Sequence, residues 1–383
     1  MISFQKRVRG AIFGAALGDA LGAPVEKLSY EQIKEKYGRV ESLRTEWYKA
    51  NSPEINLGRK RGNGIVTDDT LMMRALIYVY LKEKRHLDAY DMGKEFIKEI
   101  AFRKTYIPEF GKEGLIIDRL FYPEKHIFLR HVLANCEPRE GGHGNMVNCG
   151  AAMYCTPIGI VNAGNPKAAY DEAILFAIGH QVSYGLEAAG VFAACVAKAF
   201  EPGAGAADIV ETALLYAKDG TQKAIRELTD AAFELRSRKA DMDKVIRTLQ
   251  EKMAPYSPMG DDVHRKMEKA GLASNHYTPS RLFSIEELPM ALAFMVLNDG
   301  SFYPSVYDGI NSGRDTDSIG VMAGAILGAI HGEDVLAEQD IELLEETNKM
   351  DLMGLADEFA ILAQELIRED ILLNEKRQKL LQQ

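Results

Sequence analysis

The chain has 383 residues, 46% hydrophobic and 27% charged, an ordinary balance for a globular protein with a substantial core. A formal net charge of −10 argues against a general nucleic-acid binder, which presents a basic face, while leaving room for a small anion held by local N–H groups. The cysteines Cys136, Cys149, Cys155 and Cys195 form no CxxC pair, so they are expected to be reduced core thiols of a cytoplasmic protein and not a zinc site. The opening residues lack a signal-peptide apolar core, and no apolar run is long enough to span a bilayer, so neither a leader nor a membrane partner is expected.

A first helix is predicted from about Phe4 to Leu21, stopped before Pro24. Gly10, Gly14, Gly18 and Gly22 recur at every fourth residue and share one face of it. Glycine inside a helix costs about 1 kcal/mol relative to alanine, so such a stripe calls for close approach of another helix. Far downstream, Gly320, Gly324, Gly328 and Gly332 repeat the device. The two striped helices are expected at the centre, packed against each other. Asp19 interrupts the first apolar stretch, and Glu26 falls on the turn after Pro24.

A short helix is predicted from Ser29 to Gly38, followed by an irregular stretch from 39 to 64. That stretch holds the basic run Gly58-Arg59-Lys60-Arg61-Gly62, which reads either as a solvated loop or as a surface meeting an anionic substrate. Thr67-Asp68-Asp69-Thr70 opens a buried helix to about Lys84, and another helix covers Asp88 to Phe102. Residues 103 to 122 read as a long loop, and Glu124 to Asn135 as a helix. Gly141-Gly142-His143-Gly144-Asn145 leads to Asn148-Cys149-Gly150-Ala151-Ala152-Met153, a glycine-rich stretch that reads as a phosphate cradle or as plain turns. Asn165-Pro166 starts a helix reaching His180, and a further helix runs from about Tyr184 to Phe200. His180 and Tyr184 are candidates to touch a ribose or base, against the plainer reading of polar residues at helix ends.

From Ala206 to Met267 the chain reads as successive helices with breaks near Gly220, Ala240 and Pro255, the last closed by Gly271. Ser284-Ile285-Glu286-Glu287 resembles a capping box for a helix through Val296. Pro304 to Ile310 forms a short helix leading into Gly313-Arg314-Asp315-Thr316-Asp317-Ser318, after which the second glycine-striped helix begins. Beyond His331 the chain is charged and helical, with Leu343, Leu344, Leu355, Phe359, Leu362, Leu366 and Leu372 as its apolar stripe. Strand alternation is lacking. The expected fold class is all-α, one compact multi-helix domain over residues 1–383 with its motifs between about 8 and 332 and a helical extension at 333–383.

The clusters at 67–70 and 315–318 carry the chemistry. Each reads as an acidic, hydroxyl-rich helix start, and one alone is explained by N-capping. A cap needs one oxygen, however, and each cluster has more. Brought together, they crowd four carboxylates into one place, where like charges repel strongly. A hard divalent cation satisfies such an all-oxygen set.

On these motifs the chain resembles the ADP-ribosylglycohydrolase family, through Gly10 to Gly22, Thr67 to Thr70, Asn148 to Gly159 and Gly313 to Gly324. The resemblance implies an all-α fold with a central binuclear Mg2+ site, Mn2+ being the alternative ion. It assigns Thr67, Asp68 and Asp69 to the first ligand group and Asp315, Asp317 and Ser318 to the second. Glu26 matches an acidic position near the metals. Catalytic roles fall to Glu26, Asp69 and Asp315, with the general acid/base left open between Glu26 and an Asp not fully engaged by metal. Gly144, Asn148, Gly150 and Met153 match a segment that holds the diphosphate or the adjacent ribose. Tyr154 departs from the Arg common in the family. The implied reaction is hydrolysis at the anomeric carbon of ADP-ribose carried on a protein side chain. Two alternatives stand beside it: hydrolysis of a small N-riboside, and a non-catalytic, crystallin-like or nucleotide-binding protein.

Overall fold

The computed structural model describes residues 2–56, 58–145, 149–256 and 286–381. Its helices are α1 (Phe4–Gly22), α2 (Tyr30–Tyr37), α3 (Pro53–Asn56), α4 (Asp68–Glu83), α5 (Ala89–Asp91), α6 (Ile97–Ala101), α7 (Ile116–Arg119), α8 (Tyr122–Ala134) and α9 (Thr156–Val161). They continue as α10 (Pro166–Ala177), α11 (Ser183–Ala199), α12 (Ala206–Tyr216), α13 (Asp219–Ser237), α14 (Met242–Met253) and α15 (Glu287–Leu297). The last are α16 (Phe302–Asn311), α17 (Thr316–His331), α18 (Glu338–Asn348) and α19 (Leu352–Leu380). A π-helical turn, Met92–Phe96, joins α5 to α6. Among the described residues the one sheet is a hairpin of β1 (Lys104–Ile107) and β2 (Lys112–Leu115). The fold is all-α in class, as expected.

At the centre, α1 and α17 lie antiparallel along their glycine stripes. A Cβ added at Gly14 would sit 2.2 Å from the carbonyl oxygen of Gly324, and one at Gly18 would sit 2.0 Å from that of Gly320. The reverse substitutions are as crowded: a Cβ at Gly328 would fall 1.9 Å from the Gly10 oxygen. Backbone touches backbone here, so no side chain can be accommodated by rotation. Leu17, Phe13, Met322 and Ile326 are fully or almost fully buried beside this seam. Nearly all of α1 beyond Val8 is buried, which is why its apolar residues run all round the helix and not along one stripe.

Three expectations need correction. The stretch 103–122 is not a long loop: it forms the β1–β2 hairpin, turned at Gly111 (φ +64°), and then α7. Its four-residue strands are mostly exposed or half-buried, so no apolar alternation marks them. The helix from Pro166 stops at Ala177, and His180 lies beyond it. Leu372 does not join the apolar stripe of α19, being 55% exposed, whereas Leu355, Phe359, Leu362 and Leu366 are buried. The Ser284 capping box and the helix end at Gly271 fall outside the described residues. No helix among the described residues is long and apolar enough to cross a membrane.

An alanine in a solvated helix is worth about 1 kcal/mol more than glycine. In this seam the sign reverses. Gly14→Ala is expected to destabilise the protein by about 2 kcal/mol or more through overpacking, read as the shift in the urea unfolding midpoint. Unchanged or raised stability would show that the seam is not close-packed.

Candidate active site

The seam ends where the chemistry begins. Gly22, at the end of α1, meets the first turn of α17: a Cβ there would lie 2.4 Å from the Asp317 nitrogen. The Thr316 hydroxyl donates to the Gly22 carbonyl (2.8 Å), and backbone hydrogen bonds pair Lys27 with Arg314 and Arg314 with Leu28, each at 2.8 Å. Asp19, fully buried on α1, fixes the other cluster, at 67–70. Its carboxylate accepts from the Thr67 N–H (2.9 Å), the Thr70 N–H (3.1 Å) and the Thr70 hydroxyl (2.6 Å). Burial pushes this carboxyl up to about 6 in spite of those bonds. Asp19 was visible in the sequence only as a charge inside an apolar run.

The starts of α4 and α17 thus converge on one cavity of about 300 Å3. Its wall includes Glu26, Asp68, Asp69, Asp315, Asp317 and Ser318, together with Met153. Thr67 takes the capping role for α4, accepting from the Asp69 N–H (3.4 Å). Asp315 occupies the N-cap position of α17 in non-helical backbone and makes no capping hydrogen bond. One oxygen each from Glu26, Asp315 and Asp317 lies within 4.8 Å of the others. The Ser318 hydroxyl donates to Asp69 (2.9 Å), tying the two clusters together. Burial, and then the like charges of Asp19, Asp68 and Asp315, push Asp69 well above the usual carboxylate range. Asp317 is raised in the same way by burial, Glu26, Asp315 and Asp69.

Crowded carboxylates of this kind fit divalent cations with oxygen ligands. The observation that matters is that the donors are nearly all oxygen, buried, and mutually repelling. A soft atom also lies nearby, the Cys149 sulfur, 3.8 Å from an Asp315 oxygen, and Cys149, Glu287 and Asp315 form a second close group.

A basic wall faces the acids. Lys27, Arg59, Arg61, Arg119 and Lys125 all line the cavity. Fully buried Glu109 sits behind it and holds two of them: it accepts from Arg61 Nε (2.7 Å) and is paired with Arg119. Arg61 in turn is paired with Glu26, and Arg119 Nη1 lies 2.9 Å from Asp68. Burial pushes Glu109 up, but Arg119 and Arg61 outweigh it and hold the carboxyl below its usual range. Of this network sequence reading found only Glu26 and Asp68, with Arg61 in a basic run. Glu109, Arg119 and Glu124 carried no signal, because they lie in or beside the stretch read as loop.

Other predicted site residues are not brought to the cavity. His180 is fully buried and stacked on Tyr154, whose hydroxyl lies 2.9 Å from its Nδ1. Burial lowers its pKa to about 3, so it is a neutral core imidazole. Tyr184 is half-buried in the first turn of α11 and is not part of the cavity wall. Tyr154, in place of the expected Arg, is a core residue too. Gly144 is exposed with φ +89°, and Gly150 is buried; neither lines the cavity, and Asn148 lies outside the described residues.

Removing Glu109 would leave two buried guanidiniums without their shared counter-charge. Glu109→Leu is therefore expected to cost about 3–5 kcal/mol in urea unfolding. A cost below about 1 kcal/mol would mean the network is solvated.

A family profile described as ADP-ribosylglycohydrolase matches residues 1–369. ADP-ribosylhydrolase ARH3 of Gallus gallus is 25% identical over 348 residues, covering 90% of this chain and 91% of that protein. ADP-ribosyl-[dinitrogen reductase] glycohydrolase of Rhodospirillum rubrum is 29% identical over 164 residues, 43% of this chain and 47% of that protein. Among solved structures, one titled ADP-ribosylglycohydrolase-related protein complex superimposes with a TM-score of 0.59 at 18% identity, covering 94% of this chain and 99% of that one, which is a likeness of fold alone.

Proposed function

This chain belongs to the ADP-ribosylglycohydrolase family and is a glycosidase, and we propose that it releases ADP-ribose from a modified protein side chain in a reaction that needs two divalent cations. The observation that carries the reading is the meeting of the two acidic helix starts in one cavity that also has a basic wall. Thr67, Asp68, Asp69, Asp315, Asp317 and Ser318 would hold the ions, Mg2+ or Mn2+. Bound there, they supply positive charge that orients sugar hydroxyls and acidifies water.

The chain's own groups do the rest. Carboxylates around the anomeric carbon favour the positive charge that grows on the sugar as the bond breaks. Glu26, Asp69 and Asp315 line the same wall, within reach of a sugar bound against it. Glu26 is held in place by Arg61, which suits it to take a proton from water without leaving the site. Lys27, Arg59 and Lys125 provide positive charge for phosphate on the substrate.

A second reading, hydrolysis of a small N-riboside, is favoured by the cavity's size. About 300 Å3 is at the lower end of ligand cavities, enough for a sugar and its nearest phosphate.

Purified protein incubated with mono-ADP-ribosylated protein is expected to release free ADP-ribose with Mg2+ and not after chelation. Asp315→Asn is expected to lower that release by at least about 100-fold while leaving the helical circular dichroism unchanged. Full activity in this variant would sink the ligand assignment. No release from protein, with turnover of small ribosides, would favour the second reading.

A further inference from the structure

The acidic residues of the cavity wall are not alike. Glu26 is paired with Arg61, Asp68 with Arg119, and Asp69 with the Ser318 hydroxyl. Glu124, in the first turn of α8, is different. It lines the same cavity and is 1% exposed. Apart from the N–H of its own backbone, neither of its carboxyl oxygens has a hydrogen-bond partner. Arg119, the guanidinium on that wall whose charge acts on Glu124, is engaged by Glu109 and Asp68 instead.

A glutamate early in a helix is ordinary, because negative charge is favoured at the helix's positive end. Such residues are usually solvated, and this one is enclosed. An enclosed carboxyl without a cation keeps its proton. Burial, with the like charges of Asp68 and Asp315 and against the pull of Arg119, pushes Glu124 up to about 8. Hydrolysis of a glycosidic bond needs one carboxyl group that still carries a proton beside others that are ionised. Carboxylates that hold cations stay ionised and have no proton to give.

We propose that Glu124 is the general acid of this site, protonating the atom that leaves the anomeric carbon. The assignment rests on the hydrolase reading above. The bond to the anomeric carbon breaks with its electron pair going to the departing oxygen or nitrogen, which takes the Glu124 proton. Water adds to the anomeric carbon through its oxygen. Its surplus proton passes by way of Glu26 and solvent back to the Glu124 carboxylate, so the products are ADP-ribose and the free side chain, with no other reactant needed.

The test compares two leaving groups with Glu124→Gln. One substrate is ADP-ribose on a protein side chain, whose leaving atom needs a proton. The other is the 4-nitrophenyl glycoside of ADP-ribose, whose leaving group departs as a stable anion. The variant is expected to lose at least about 100-fold in kcat on the first and less than about threefold on the second. In the wild type, kcat on the first substrate should fall as pH rises through about 8, where the acid loses its proton, and this limb should be absent with the nitrophenyl substrate. The wild-type comparison decides the matter even when the variant does not fold. Equal losses on both substrates, no loss on either, or the same alkaline limb with both would overturn the assignment. Wild-type protein that cleaves neither substrate would instead remove the hydrolase reading, and this assignment with it.

Discussion

Contact between two backbones sets the geometry of this protein. Helices α1 and α17 approach so closely that each glycine of one stripe lies against the main chain of the other. The gain is dispersion between closely packed atoms, and a single added methyl group removes the room for it. Because the helices are antiparallel, the end of α1 is delivered to the start of α17. The loop after α1 and the acidic turn before α17 are then neighbours, although nearly 300 residues separate them in sequence. Asp19 completes the arrangement by docking the start of α4 onto the same region.

That arrangement concentrates negative charge where water is largely excluded, and the protein offsets it in two ways. Glu26 and Asp68 are each paired with an arginine, and the two arginines are joined through Glu109 behind the wall. Asp69 and Asp317 are left with raised pKa values, driven by burial and then by the like charges of the carboxylates around them. Divalent cations held by these oxygen donors would supply the missing positive charge. Glu124 is set apart from both arrangements, buried and without a cation partner on the same wall, so burial favours its protonated form.

Much of this was legible in the sequence. Glycine at every fourth residue in two helices leaves few physical explanations, and the acidic clusters each carry more oxygen than a cap uses. Both signals are local repeats. The salt-bridge network is not: Arg61 and Glu109 are 48 residues apart, and only the tertiary fold brings them together. The β1–β2 hairpin was missed because its short strands bury too little on either face to show alternation. The burial of His180 was hidden for the opposite reason. A polar residue after a helix looks solvated in sequence, yet Phe128 and Tyr154 enclose it completely.

The central claim is that the two acidic helix starts form one cation site and not two separate caps. Titration of the purified protein with Mn2+, followed by electron paramagnetic resonance, tests it most directly. Two Mn2+ per chain with mutually coupled spins is the result this account predicts. A folded protein that binds one isolated ion, or none, would contradict it.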